Sequence, residues 1–206
     1  MTNQAVPTSY NKRTRLDPRK RKAQLLEYAL AVFARRGIGR GGHAEIASDA
    51  RVSVATVFNY FNTREALVEA VISEVERFHL ELTREIFQKH TDTGKAMLEH
   101  ASAFSELKDS NPDYIKIWLD WSTSIDSPWW ESYLKFQRQI IGTIADHIRQ
   151  SDSGSAANPE ASARCYIGYA HMAVMMMYDP DLEVSRQQLG RSLIRHALEM
   201  GKDLSN

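Results

Sequence analysis

The chain has 206 residues, 26 Lys and Arg against 26 Asp and Glu, 43% hydrophobic residues and one cysteine. That length buries a core without staples, and a lone Cys165 excludes an intrachain disulfide and fits a reducing cytosol. No apolar run approaches the roughly 18 residues of a membrane span and no secretory signal is read, so a cytoplasmic protein that does not engage the membrane is expected. The zero net charge is unevenly spread. Up to Arg64 there are 12 Lys and Arg against 4 Asp and Glu, leaving 14 against 22, so the basic end is the one suited to a polyanion.

In chain order, a basic arm over residues 1–18 carries Lys12-Arg13-Thr14-Arg15, followed by Arg19-Lys20-Arg21-Lys22 on a first helix. Such an arm can enter a minor groove or neutralise phosphates. Asp17 before Pro18 reads as an N-cap and first-turn proline, and Leu25, Leu26, Ala29, Leu30, Val32 and Phe33 keep helical spacing up to Arg35-Arg36-Gly37. A glycine-rich turn (Gly37, Gly39, Gly41, Gly42) leads into a short helix from about His43 to Ala50, and Arg51-Val52 make a bend.

Ser53 to Phe61 then forms another short helix, capped by the Ser53 hydroxyl. Val57 and Phe61 face inward on Ile46, Ala47 and Val52. Ala55 with Asn59, and Thr56 with Tyr60, form outward pairs of small, amide, hydroxyl and phenol groups. This chemistry suits a groove: Asn pairs bidentately with adenine, the Thr and Ala methyls meet a thymine methyl, and Tyr reaches phosphate.

Thr63 caps a long helix with apolar residues at Leu67, Val68, Val71, Ile72, Val75, Phe78 and Leu82. Five more helices are predicted, over about Gly94–Leu107, Pro112–Ser124, Pro128–Arg149, Pro159–Met177 and Val184–Lys202, with a loop at Ser151–Asn158. The helix holding Cys165, Met172 and Met175 is apolar nearly all round, and Leu189, Leu193 and Ala197 repeat along the last one. Two such helices from each of two subunits make an intersubunit four-helix bundle. Trp118 and Trp121 share a face, and with Leu82, Phe136, Ile140, Tyr169 and Met172 they either line a site for a small apolar or amphipathic ligand or are simply core.

Phe33 to Gly37, Ile46-Ala47, Val52-Ser53, Tyr60-Phe61 and Arg64-Glu65 resemble the TetR family DNA-binding domain over residues 19–79. The runs from Arg13, from Phe33 and from Val52 to Phe61 are similar to the LuxR/HapR type, the quorum-sensing master regulators of vibrios, as is Lys116 to Ser122. Gly41 stands where Thr or Ser usually caps the second helix, and Arg51 where a turn glycine is common. The resemblance implies an all-α fold, with residues 80–206 forming an effector-binding and dimerisation domain. It further implies a homodimer on a partly palindromic duplex operator, contacted through Arg13, Arg15, Gly42, Ser53, Ala55, Thr56, Asn59 and Tyr60, with no cofactor or metal. A quorum-sensing-linked global regulator is the reading it favours, and a repressor of a local operon released by a small apolar ligand is the alternative.

An enzyme is disfavoured. Gly37-Ile-Gly-Arg-Gly-Gly42 has the G-x-G-x-x-G spacing but follows a helical period with no α/β alternation around it. No G-x-S-x-G or H-E-x-x-H pattern occurs, the seven histidines are dispersed, and His171 reads as packed or pocket-lining. A helical adaptor for a protein partner leaves the Asn59 and Tyr60 surface unexplained.

Overall fold

The computed structural model describes residues 17–151, 158–179, 181 and 192. The expected arm with Arg13 and Arg15, and the last helix with Leu189, Leu193 and Ala197, lie outside the described residues. Eight helices are present among those described: α1 Pro18–Arg36, α2 His43–Asp49, α3 Val54–Tyr60, α4 Arg64–Lys89, α5 Thr93–Ser110, α6 Pro112–Thr123, α7 Trp130–Gln150 and α8 Pro159–Met177. No helix among them is long and apolar enough to cross a membrane.

Local chemistry sets most of the boundaries. Pro18 opens α1, and Gly37 closes it at φ +81°, donating its N–H to the Phe33 carbonyl at 2.8 Å. Asp17 occupies the cap position, but its carboxylate makes no capping bond; α1 starts in solvent, where water serves the first amides. Ser53, Thr63, Asp92 and Asn158 cap α3, α4, α5 and α8 through their side chains. The cap of α2 is Gly42, one residue beyond the Gly41 expected from the resemblance. Gly41 is instead pressed on the Phe33 ring, where an added Cβ would lie 3.1 Å from ring carbons.

α4 runs farther than its apolar pattern suggested. Thr83 does not end it, because its hydroxyl donates to the His79 carbonyl at 2.8 Å, and Ile86 and Phe87 extend the buried face. Phe78 and Leu82 are only half-buried, whereas His79 and Thr83 turn inward. α7 starts at Trp130 instead of Pro128, because Ser124 to Trp130 is used in two successive tight turns.

One buried cluster runs from Leu25 to Val174. α1 and α2 are joined at the surface by Arg35–Asp49 at 3.0 Å and Arg36–Glu45 at 2.6 Å. α1 also packs on α6, α4 packs on α5 and α7, and α7 packs on α8. α4 contributes Leu67, Val68, Val71 and Ile72 toward its amino-terminal end, then His79, Thr83, Ile86 and Phe87 farther along. A single unbroken rod therefore carries both halves of the chain.

Candidate nucleic-acid interface and effector cavity

On α3 the inward pair is placed as its spacing demands: Val57 and Phe61 are buried, with Ile46 and Ala47 beside them in the core. Ala55 and Asn59 are exposed, and Thr56 and Tyr60 are half-buried. Ser53 Oγ accepts the Thr56 N–H at 3.1 Å and lies 2.8 Å from Thr56 Oγ1. Both hydroxyls thus already serve the cap, which leaves the Asn59 amide and the Tyr60 hydroxyl as the uncommitted side-chain polar groups of the helix. Gly42 stands at the mouth of α2 with open space around it.

Two exposed apolar side chains of α3 were not among the sequence candidates. Val54 and Phe58, one helical turn apart, are 42% and 44% exposed. Phe58 stacks flat on His43, with ring centroids 3.9 Å apart and planes 6° from parallel. His43 Nε2 lies 2.7 Å from the Phe61 carbonyl, so that nitrogen carries the proton and the ring is locked as a shelf under Phe58. The signal was available: once Val57 and Phe61 fill the inward face, residues 54 and 58 of a helix must face elsewhere. Lys22 lies 5.6 Å from the Phe61 ring, which brings the basic first turns of α1, with exposed Arg19 and Lys20, beside the end of α3. Arg35 and Arg36 are committed to the acids of α2.

The turn after α1 is held from the other half of the chain. Asp120 on α6 accepts the Ile38 N–H at 2.7 Å, and Arg64, the first residue of α4, donates to the Ile38 carbonyl at 2.5 Å. The Arg64 guanidinium lies 5.9 Å from the Trp129 ring, and the Trp129 carbonyl accepts the Trp121 indole N–H at 3.0 Å. Trp121 stacks on Phe136 at 5.5 Å. Both backbone polar groups of the buried Ile38 are thereby clamped by side chains that trace back to the aromatic interior.

That interior contains a cavity of about 30 Å³. Trp118, Phe136 and Ile140 line it, together with His79, His100 and Phe104. Trp121 does not: residues three apart differ by about 60° around a helix axis, enough to set its indole behind Phe136 as core. Leu82 and Tyr169 lie off the cavity, and Met172 is 56% exposed on α8. His171, half-buried, packs on Trp118 with ring centroids 4.8 Å apart but does not line the cavity. A larger recess of about 500 Å³ beside Arg84, Asp146 and His147 is polar and open, and touches none of these residues.

Two buried histidines meet at the cavity. His100 Nε2 lies 3.0 Å from Thr83 Oγ1, and Nδ1 lies 2.9 Å from the Tyr166 hydroxyl. The Thr83 hydroxyl also donates to the His79 carbonyl and the Tyr166 hydroxyl to the Met97 carbonyl at 3.0 Å, so the single N–H of a neutral His100 ring serves one of these two hydroxyls. Burial pushes His100 down to about 4. His79 is pushed down to about 3, by burial first and by its His100 neighbour, against the opposing pull of the Tyr114 carbonyl. Both rings are neutral at physiological pH.

Residues 25–71 match the family model described as bacterial regulatory proteins, tetR family. The chain is 45% identical over 126 residues to the HTH-type transcriptional regulator LuxR of Vibrio harveyi, a stretch covering 61% of this chain and 62% of that protein. It is 32% identical over 73 residues to the regulator TtgR of Pseudomonas putida, covering 35% of each. Among solved structures, a TetR-like transcriptional regulator from Rhodococcus aligns with a TM-score of 0.73 at 18% identity, over 90% of this chain and 99% of that one. FadR of Bacillus subtilis, solved with stearoyl-CoA, aligns with a TM-score of 0.71 at 15% identity, over 85% and 97%. Residues 25–71 thus carry a domain matching the tetR family of bacterial regulatory proteins, within an all-helical fold shared with the solved structures.

Proposed function

We propose that this chain is a transcriptional regulator that acts in the cytoplasm as a homodimer on a partly palindromic DNA operator. The observation that carries the reading is the outer face of α3, where Asn59 and Ala55 stand exposed beside a basic helix end. Asn59 would pair with a base edge, Tyr60 and the Ser53 end of the helix would meet the backbone, and Arg13 and Arg15 would hold the minor groove or phosphates. α8 leaves Met172 and Met175 more than half exposed, and pairing with a second copy would cover them and set two α3 helices about one DNA turn apart. The likeness to LuxR supports a quorum-sensing-linked regulon. Control by a small apolar effector is the second reading, favoured by the cavity at Trp118 and by the Asp120 link from α6 to the turn after α1.

The test is a gel shift on duplexes selected by the protein from a random pool, against scrambled duplex and across a salt series. Asn59→Ala should weaken specific binding by about 1–3 kcal/mol while scrambled duplex is bound as before. Deleting residues 1–15 should flatten the salt dependence, because fewer counterions are released. Equal losses on selected and scrambled duplex would move Asn59 from base reading to backbone contact, and the absence of any selected sequence would remove the regulator reading.

A further inference from the structure

The cavity wall includes one polar ring that no group among the described residues meets with hydrogen-bond geometry. Neither nitrogen of His79 has a hydrogen-bond partner, although the residue is only 2% exposed. Its ring sits among the cavity's aromatic walls, 5.3 Å from Phe104, 6.2 Å from Trp118 and 6.3 Å from Phe136 between centroids. His100, on the same cavity, differs in having both nitrogens engaged, by Thr83 and Tyr166. Buried polar groups are nearly always paired, so an orphan at a cavity marks a place for an absent partner. Burial keeps the His79 ring neutral, with one N–H and one lone pair. The Tyr114 carbonyl is the backbone group that acts on the ring, without hydrogen-bond geometry, and it favours the N–H on its side; the lone pair is left open.

No Asp, Glu, Lys or Arg lines this cavity, and its other walls are chiefly Phe104, Trp118, Phe136 and Ile140. Charge on a ligand would go uncompensated there, while a hydrocarbon would leave the imidazole unmet. On the effector reading of this cavity, we infer that His79 is its polar anchor and that it selects a small, neutral ring compound carrying one hydrogen-bond donor, a hydroxyl or an N–H. The present cavity, about 30 Å³, has room for a water or two, so a ring enters by displacing a wall side chain. Gln137 is the element that yields: it is half-buried, and its amide is held to the Tyr133 hydroxyl only at 3.4 Å.

Phenol and toluene have nearly the same shape and differ by a hydroxyl in place of a methyl. Calorimetric titration of the full-length protein with each compares the two at one site. A purely apolar cavity favours toluene, because the phenol hydroxyl loses its water. The native protein should bind phenol at least as tightly as toluene. His79→Leu should reverse this to about a tenfold preference for toluene and raise the ligand-free Tm, since an orphan polar group is removed. His79→Gln, which keeps an acceptor, should keep the phenol preference and guards against a leucine that repacks the cavity. The inference is overturned if toluene is preferred equally by native protein and His79→Leu, or if neither ring binds the native protein. If phenol binds through His79 yet leaves the affinity for selected duplex unchanged, the anchor stands and the effector reading alone fails.

Discussion

α3 and α6 are both short helices with informative side chains at helical spacing, and they use the pattern in opposite ways. α6 is packed by α1, α4, α5 and α7, and it buries Ile115, Ile117, Trp118 and Trp121. α3 rests chiefly on α2, buries Val57 within its span, and leaves Val54 and Phe58 to solvent. Periodicity tells which residues share a face, while the number of neighbouring helices decides whether that face is core or surface. Substitutions on α6 should therefore be read in stability, and those on α3 in binding.

The sharpest way to break that contrast is Trp121→Ala. It removes a fully buried indole and its bond to the Trp129 carbonyl, and should destabilise the fold by about 3–5 kcal/mol in chemical denaturation. Phe58→Ala should leave the denaturation midpoint in place, and a large shift there would make α3 part of the core.

Acid probes the same interior. His79 and His100 sit at about 3 and about 4 in the fold, against about 6.5 in the unfolded chain. Below about pH 6.5 the unfolded state takes up protons that the native state refuses, so stability is full above neutrality and falls as pH drops toward 4. Between pH 7 and pH 5 each histidine should cost about 2 kcal/mol, and His79→Leu should remove about half of the loss. A flat profile over this range would mean that the interior admits water.

Asp120→Ala tests the seam between the halves. Orphaning the Ile38 N–H should cost about 1–2 kcal/mol, and Asp120→Asn, which retains an oxygen acceptor, should recover most of it. Equal stability of both variants with the native protein would make the link incidental.

The smallest expected effect is a gain. Arg51 holds φ +52°, a left-handed conformation that glycine adopts freely, so Arg51→Gly should stabilise by about 0.5–1 kcal/mol. A loss would show that the arginine side chain offsets its own backbone strain.

What could be read from the sequence follows from how local each cause is. The α1–α3 order, the Ser53 and Thr63 caps and the inward Val57 and Phe61 depend on neighbours within a few residues, and their spacing is decisive. The Arg51 turn could be located but not its φ, because a missing glycine says only that some other residue occupies the bend. The cavity draws its walls from α4, α5, α6, α7 and α8, and no single helix's period reports which of its half-buried rows will face the others. Hence Trp118 and Phe136 line the cavity while Trp121 sits one layer behind it, and His79 and Thr83 are hidden in the sequence by the apolar Phe78 and Leu82 beside them. The flat stack of Phe58 on His43 and the reach of Asp120 to Ile38 join residues far enough apart in sequence that only the fold brings them together.

The clamp on Ile38 bears on modularity. Ile38, in the turn from α1 to α2, donates its N–H to a residue far downstream, and its carbonyl accepts from the first residue of α4. Residues 19–79 excised as a cassette would leave an amide without its acceptor at the bend that aims α2. Grafting this head onto another body would transplant the exposed α3 side chains but not their alignment, unless an acidic residue were supplied opposite the bend. Exchange of this head is thus constrained at the seam as much as on the exposed face of α3.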